Sequence, residues 1–341
     1  SEVRFWYGPL PPYLNALLLR AWGAQVDTLA AAGVACAALL AGLGYRLVRL
    51  FAGRLPAWAA AAALVQCCAF VQLYPNNIFN FVVPYAYAAT YGITLALASV
   101  FWLVRHVLAG RRRDLWLATA ALGVTALCKL EPLFAALVAH GAFLAWSALR
   151  ERGRLLARLA PYLAGLALPA ATYALLWARV GPELLTDNLL LVAGATAGDY
   201  ALRHAGLLDL GDSLPPLAVS LAGGLAVLAV GTLLARQAER LAAELPAEGP
   251  ARAVALGGLA LLAGGLTAGL ALFLGPLRLF RALPLALLAG LALTWRVRRD
   301  EAAAPRALAL AVACAFGLGA LPRILLRAGA EHYGFYLLAP G

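Results

Sequence analysis

Apolar runs of about twenty residues recur along this chain, and they limit its folding more than any other feature. A helix needs about 20 mostly apolar residues to cross a bilayer. Runs near that length occupy residues 26–45, 55–74, 84–104, 115–128, 132–149, 160–178, 214–235, 253–274, 277–295 and 307–321. The run at 115–128 is short, and the one at 277–295 carries Arg278 and Arg281 near its start. None alternates as the strands of a lipid-facing barrel would. The expectation is an all-α fold, a polytopic transmembrane helical bundle of ten spans forming one domain over residues 1–341. Composition agrees: 64% of residues are hydrophobic and 13% charged, against about 25% charged in soluble domains. A water-soluble globule and a disordered chain are both excluded.

Charge orients the bundle. Alternate connections hold Arg46, Arg49 and Arg54, then Arg105 and Arg111 to Arg113, then Arg150, Arg152, Arg154 and Arg158. The pattern continues with Arg236, Arg240 and Arg252, and with Arg296, Arg298, Arg299 and Arg306. One face thereby takes eighteen of the 27 basic residues and the whole net charge of +11. The positive-inside rule makes that face cytoplasmic, so the charge reports topology and not nucleic-acid binding. Ten spans then put Ser1 and Gly341 outside, which predicts at least one further span upstream, and 336–341 reads as a helix cut short. The five cysteines lie in apolar runs without disulfide or zinc spacing and read as small buried hydrophobes.

Polar chemistry collects on the other face. The outer segment 1–25 places aromatics at an interface, followed by an amphipathic set of Leu14, Leu17, Leu18 and Trp22. The outer loop 179–213 sets Leu184, Leu185, Leu189 and Leu190 opposite Glu183, Asp187 and Asn188. Both suit helices lying in the headgroup plane, and simple aromatic-belt anchoring explains them equally well. Between two spans, residues 74–85 hold three Asn and two Pro. Turn chemistry accounts for Pro75 and Asn76, whereas Asn80 and Tyr85 sit where a returning helix begins and face a cavity on the functional reading.

The strongest local signal is Cys128-Lys129-Leu130-Glu131-Pro132. An acid and the only lysine of the chain lie between two apolar runs, and ionisable residues at membrane depth are costly and usually functional or paired. The i, i+2 spacing does not put them on one helical face, but the break at Pro132 lets both point to one cavity. The competing reading is a helix-end ion pair. Arg278 and Arg281, one turn apart, suit a phosphate. Asp199, Tyr200, Arg203 and His204 suit one face of a short helix, and Glu331, His332 and Tyr333 lie near the end. His204 with Glu331 and His332 has donors for a divalent cation, although the sequence does not set their separation. His140 lies inside an apolar span and reads as core.

Tyr7-Gly8-Pro9-Leu10 with Tyr13 and Trp22-Gly23, the run Asn80 to Tyr85, and Thr125 to Glu131 resemble, in that order, motifs of GT-C-fold membrane glycosyltransferases. The resemblance is to the polyprenyl-phosphate-mannose protein mannosyltransferase and aminoarabinose transferase superfamily, and its motifs lie in residues 1–150. It implies transfer of a sugar from a polyprenyl-phosphate donor to a lipid, glycan or protein acceptor at the outer face of a bacterial plasma membrane. The family's catalytic Asp, in the first outer loop, would lie upstream of Ser1, so the chain as given is expected to have little activity. An acid–base pair of the aminoarabinose transferases is replaced by Trp6 and Tyr7. Lys129, or else Arg278 or Arg281, is expected to stabilise the departing phosphate, while Asn80, Tyr85, Glu131 and Tyr7 orient substrate. The alternatives are a lipid-linked-sugar flippase and a non-catalytic membrane scaffold.

Overall fold

The computed structural model describes residues 7–65, 80–82, 84, 86–150, 155–182, 202–203, 205–244, 250–274, 279–297, 299–322 and 325. Among them the regular structure is helical, with no strand. The helices are α1 (Leu10–Trp22), α2 (Val26–Arg49), α3 (Arg54–Leu64), α4 (Tyr87–Ala109), α5 (Arg112–Thr125), α6 (Leu130–Arg150) and α7 (Leu155–Val180). They continue with α8 (Leu210–Glu244), α9 (Pro250–Leu274), α10 (Leu283–Val297) and α11 (Ala304–Ala320), a 3-10 turn at Leu279–Ala282 preceding α10.

Four stretches, Val26–Arg49, Tyr87–Ala109, Leu130–Arg150 and Leu156–Val180, are long and apolar enough to cross a membrane. The run expected at 115–128 forms a 14-residue helix, and the one at 277–295 divides into the 3-10 turn and a 15-residue helix. Helix ends carry local signals. Asp27 opens α2 and Arg46 and Arg49 close it, complementing the helix dipole. Gly110, at φ +67, ends α4 in the left-handed conformation, its N–H reaching the carbonyl of His106.

α4 is the central post, packed against α2, α5, α6 and α11. Its Ile93, Leu97, Val100 and Val104, spaced at one helical face, meet Ala135, Ala139 and Phe143 of α6 and Val312 and Phe316 of α11 in one buried cluster. Small residues let backbones approach. A Cβ on Gly123 would collide with the carbonyl of Gly165, and one on Gly165 with that of Thr119, so α5 and α7 cross through a small-residue seam. The surface is apolar as well as the core. Thr90, Ser99, Thr119, Thr125, His140 and Ser147 are buried, while Leu39, Leu156, Leu163 and Leu175 face outward, Leu156 to 80%. Such a surface suits hydrocarbon and would be costly in water.

The helices share two ends. The last turns of α2, α4, α6 and α10 and the first turns of α5 and α7 gather Arg46, Arg105, Arg112, Arg113, Arg150, Arg158 and Arg296. Arg46 and Arg105 both lie over the Phe101 ring, and Arg158 lies over Phe143. Asp114, fully buried, stands 3.6 Å from Arg105 Nε and 3.7 Å from Arg113 Nε. α1, residues 80–82 and the start of α6 lie at the other end.

Candidate functional site

At that other end, two segments far apart in sequence join through their backbones. The Gly8 N–H donates to the carbonyl of Cys128 at 2.7 Å, and the Leu10 N–H to that of Leu127 at 2.9 Å. A side chain at residue 8 is impossible in this arrangement, because its Cβ would overlap the Leu127 carbonyl. Pro9 and Leu10 then lead into α1, whose Pro11 is buried while Tyr13, Leu17 and Trp22 are exposed. Leu14 leans inward with Leu10 on a cluster made by Cys36 of α2, Tyr91 of α4 and Cys128.

This junction sets Tyr7 beside Lys129. The ammonium lies 5.0 Å from the centre of the Tyr7 ring and 3.3 Å from Glu131 Oε1. The Lys129 carbonyl accepts from the Leu133 N–H, so Lys129 stands at the N-cap of α6. The break falls at Lys129 and not at Pro132, which lies in the first turn of α6, and the non-helical backbone at Lys129 lets the i, i+2 pair meet. The geometry is also that of the helix-end ion pair weighed against it. Burial is unequal: Lys129 is 8% exposed, and the Glu131 side chain 36%. A cation in the wall beside an aromatic face, with its carboxylate toward the open side, can hold an anionic group that displaces or shares the carboxylate.

Around the junction lies a polar set that the sequence reading did not single out as a site. The Tyr91 hydroxyl donates to Asn15 Oδ1 at 2.6 Å, tying α4 to α1, and the Tyr173 hydroxyl of α7 donates to the Ala126 carbonyl. Among the described residues, the buried hydroxyls of Tyr87 and Thr90 have no hydrogen-bond partner. Tyr87, Thr90, Tyr91 and Thr94 recur at i, i+3, i+4 and i+7, a polar stripe on an otherwise apolar helix. That stripe was legible in the sequence.

The remaining expected residues belong to other segments. Asn80 is half-buried at the start of a segment whose Phe81 and Val82 carbonyls press on Gly33 of α2, one turn from Cys36. Arg281 belongs to the 3-10 turn, which packs on α8 and α10, and the Ala282 N–H donates to Ser220 Oγ. Among the described residues the buried Nε of Arg281 has no acceptor. Tyr85 and Arg278 lie outside the described residues, as do Asp199, Tyr200, His204, Glu331, His332, Tyr333 and most of the loop 179–213. Among the described residues no group of three His, Cys, Asp or Glu is placed to hold a metal ion. No family model, no curated protein and no solved structure matches the chain.

Proposed function

We propose that this chain is a membrane glycosyltransferase of the GT-C type, moving a sugar from a polyprenyl-phosphate donor to an acceptor at the non-cytoplasmic face. On this reading all ten apolar runs cross the bilayer, the arginine-bearing end is cytoplasmic, and α1 lies near the outer headgroups. The observation that carries it is the buried Lys129, held against Tyr7 and Glu131 at the end away from the arginines. The contact between the Tyr7–Leu10 and Thr125–Glu131 stretches supports it as well, since both are motif segments of the family resemblance.

The reaction is an inverting displacement. An acceptor hydroxyl oxygen attacks the anomeric carbon, its proton passes to a carboxylate base, and the C–O bond to phosphate breaks. Polyprenyl phosphate leaves with the bonding pair, and Lys129 stabilises the charge that develops on it. A compact ammonium suits a monophosphate as a point charge. Glu131 and Asn80 orient sugar or acceptor.

The test is release of polyprenyl phosphate from labelled polyprenyl-phosphate sugars by membranes carrying the complete protein. Lys129→Ala is expected to lower turnover by roughly 10²–10³-fold, with Lys129→Arg recovering part of it. Unchanged turnover in Lys129→Ala removes the leaving-group role. Labelled donor appearing chemically intact across the membrane replaces the transferase by a flippase.

A further inference from the structure

A concavity lined by apolar side chains and two arginines lies at the end of the bundle opposite the Lys129 junction. The last turn of α6 contributes Trp146, Leu149 and Arg150, and the end of α10 contributes Trp295 and, just beyond it, Arg299. Both helices pack on α11 and leave between their ends an open cleft of about 320 Å³. We propose that this cleft binds the headgroup phosphate of an anionic phospholipid. The inference rests on the chain crossing a membrane and is independent of the transferase reading.

Charge supports an anion. Among the described residues no carboxylate pairs with Arg150 or Arg299, the ion pairs there being those of Asp114 and Glu131. Asp300, next to Arg299, is otherwise engaged: its Oδ1 accepts from the N–H groups of Ala302 and Ala303 at the entry to α11. Arg150 lies over the Trp146 ring, its guanidinium carbon 5.7 Å from the centroid, which holds the planar donor fork near the cleft and leaves its N–H edges for phosphate oxygens.

The other linings choose the source of that phosphate. Trp295 and Leu149 are 52% and 65% exposed, so the cleft opens beside an apolar surface. Two indoles where helices leave the hydrocarbon match the headgroup level, where Trp concentrates. A free phosphate gains nothing from them, whereas a phospholipid sets its phosphate on the arginines and its glycerol and upper chains along Leu149 and the indoles. Basic pockets between membrane helices on the positive side hold lipid headgroups in this way. Neutralising the carbonyl ends of α6 and α10 would need the arginines alone, and leaves the cleft and the indoles unexplained.

The experiment is native mass spectrometry of the purified full-length protein released from nanodiscs of equal phosphatidylglycerol and phosphatidylcholine. The readout is the ratio of the two lipids retained. Wild type is expected to retain phosphatidylglycerol preferentially, and added inorganic phosphate is expected not to strip it. Arg150→Gln and Arg299→Gln should each lower the preference about 5-fold, and together roughly 30-fold. The pair Arg111→Gln and Arg112→Gln removes the same charge from exposed positions at the same end, and should leave the preference nearly intact. Equal losses from both pairs would reduce the effect to the general field of the arginine-bearing end and overturn the site. No preference in wild type, or none lost in the Arg150 and Arg299 variants, also overturns it. Displacement by inorganic phosphate at millimolar concentration assigns the cleft to a free anion and overturns the lipid. A thermal unfolding midpoint in phosphatidylcholine alone confirms that each variant is folded.

Discussion

His140 is a buried side chain whose partners identify its tautomer. Its Nε2 lies 2.8 Å from Ser99 Oγ, its Nδ1 lies 2.8 Å from the Tyr162 hydroxyl, and Ser99 donates its only proton to the Ala118 carbonyl at 2.6 Å. Nε2 must therefore donate to Ser99, and Nδ1 accepts from Tyr162, which leaves every group in the chain satisfied. One imidazole thus links α4 and α5, through Ser99, to α7. His140→Leu strands the Tyr162 hydroxyl and is expected to cost about 1–3 kcal/mol, read from thermal unfolding in detergent. Tyr162→Phe should cost less alone, and the double variant less than the sum of the singles, because the orphaned hydroxyl is gone. Strict additivity would mean that the chain is not coupled. The sequence reading placed His140 in the core, as the structure does. Its two partners come from two other helices, α4 and α7, and no local pattern names them.

At the scale of elements, bare glycine surfaces decide which helices touch. Gly165→Val would drive a side chain into the Thr119 carbonyl and force α5 from α7. The expected loss is about 1–3 kcal/mol, with weakening of the Tyr173 to Ala126 hydrogen bond at the far end of the same pair. A Cβ on Gly141 of α6 would meet nothing within 4 Å among the described residues, so Gly141→Ala should be neutral or stabilise by up to about 1 kcal/mol. The same unfolding assay separates them, and similar effects at both positions would contradict the seam. Helix positions themselves were largely legible: the expected runs at 26–45, 84–104, 132–149 and 160–178 fall within α2, α4, α6 and α7 apart from one or a few terminal residues. Hydropathy is a local sum, so it locates a helix. It does not tell which of two glycines faces a neighbour, because that depends on how a distant helix is rotated.

Over the whole molecule, the arginine cluster of Arg46, Arg105, Arg112, Arg113, Arg150 and Arg158 and the Lys129 junction occupy opposite ends, and this separation predicts a topology. Arg20 in α1 and Arg112 at the start of α5 are both exposed. With the native cysteines replaced, Arg20→Cys should react with a membrane-impermeant maleimide in intact cells and Arg112→Cys only after permeabilisation. The reverse pattern would invert the orientation, and labelling of both in intact cells would contradict a membrane-spanning bundle. Composition, apolar run length and the alternation of arginine were enough to establish an all-helical, lipid-compatible chain with one basic end, since each is a sum over neighbouring residues. They also drew notice to Lys129 and Glu131 as ionisable groups in an apolar setting. Packing alone brought Gly8 onto the carbonyls of Leu127 and Cys128, set Tyr7 against Lys129, and placed the 3-10 turn of Arg281 on α8. Contacts across more than a hundred residues depend on helix rotation and close backbone approach, which leave no periodic trace in the chain.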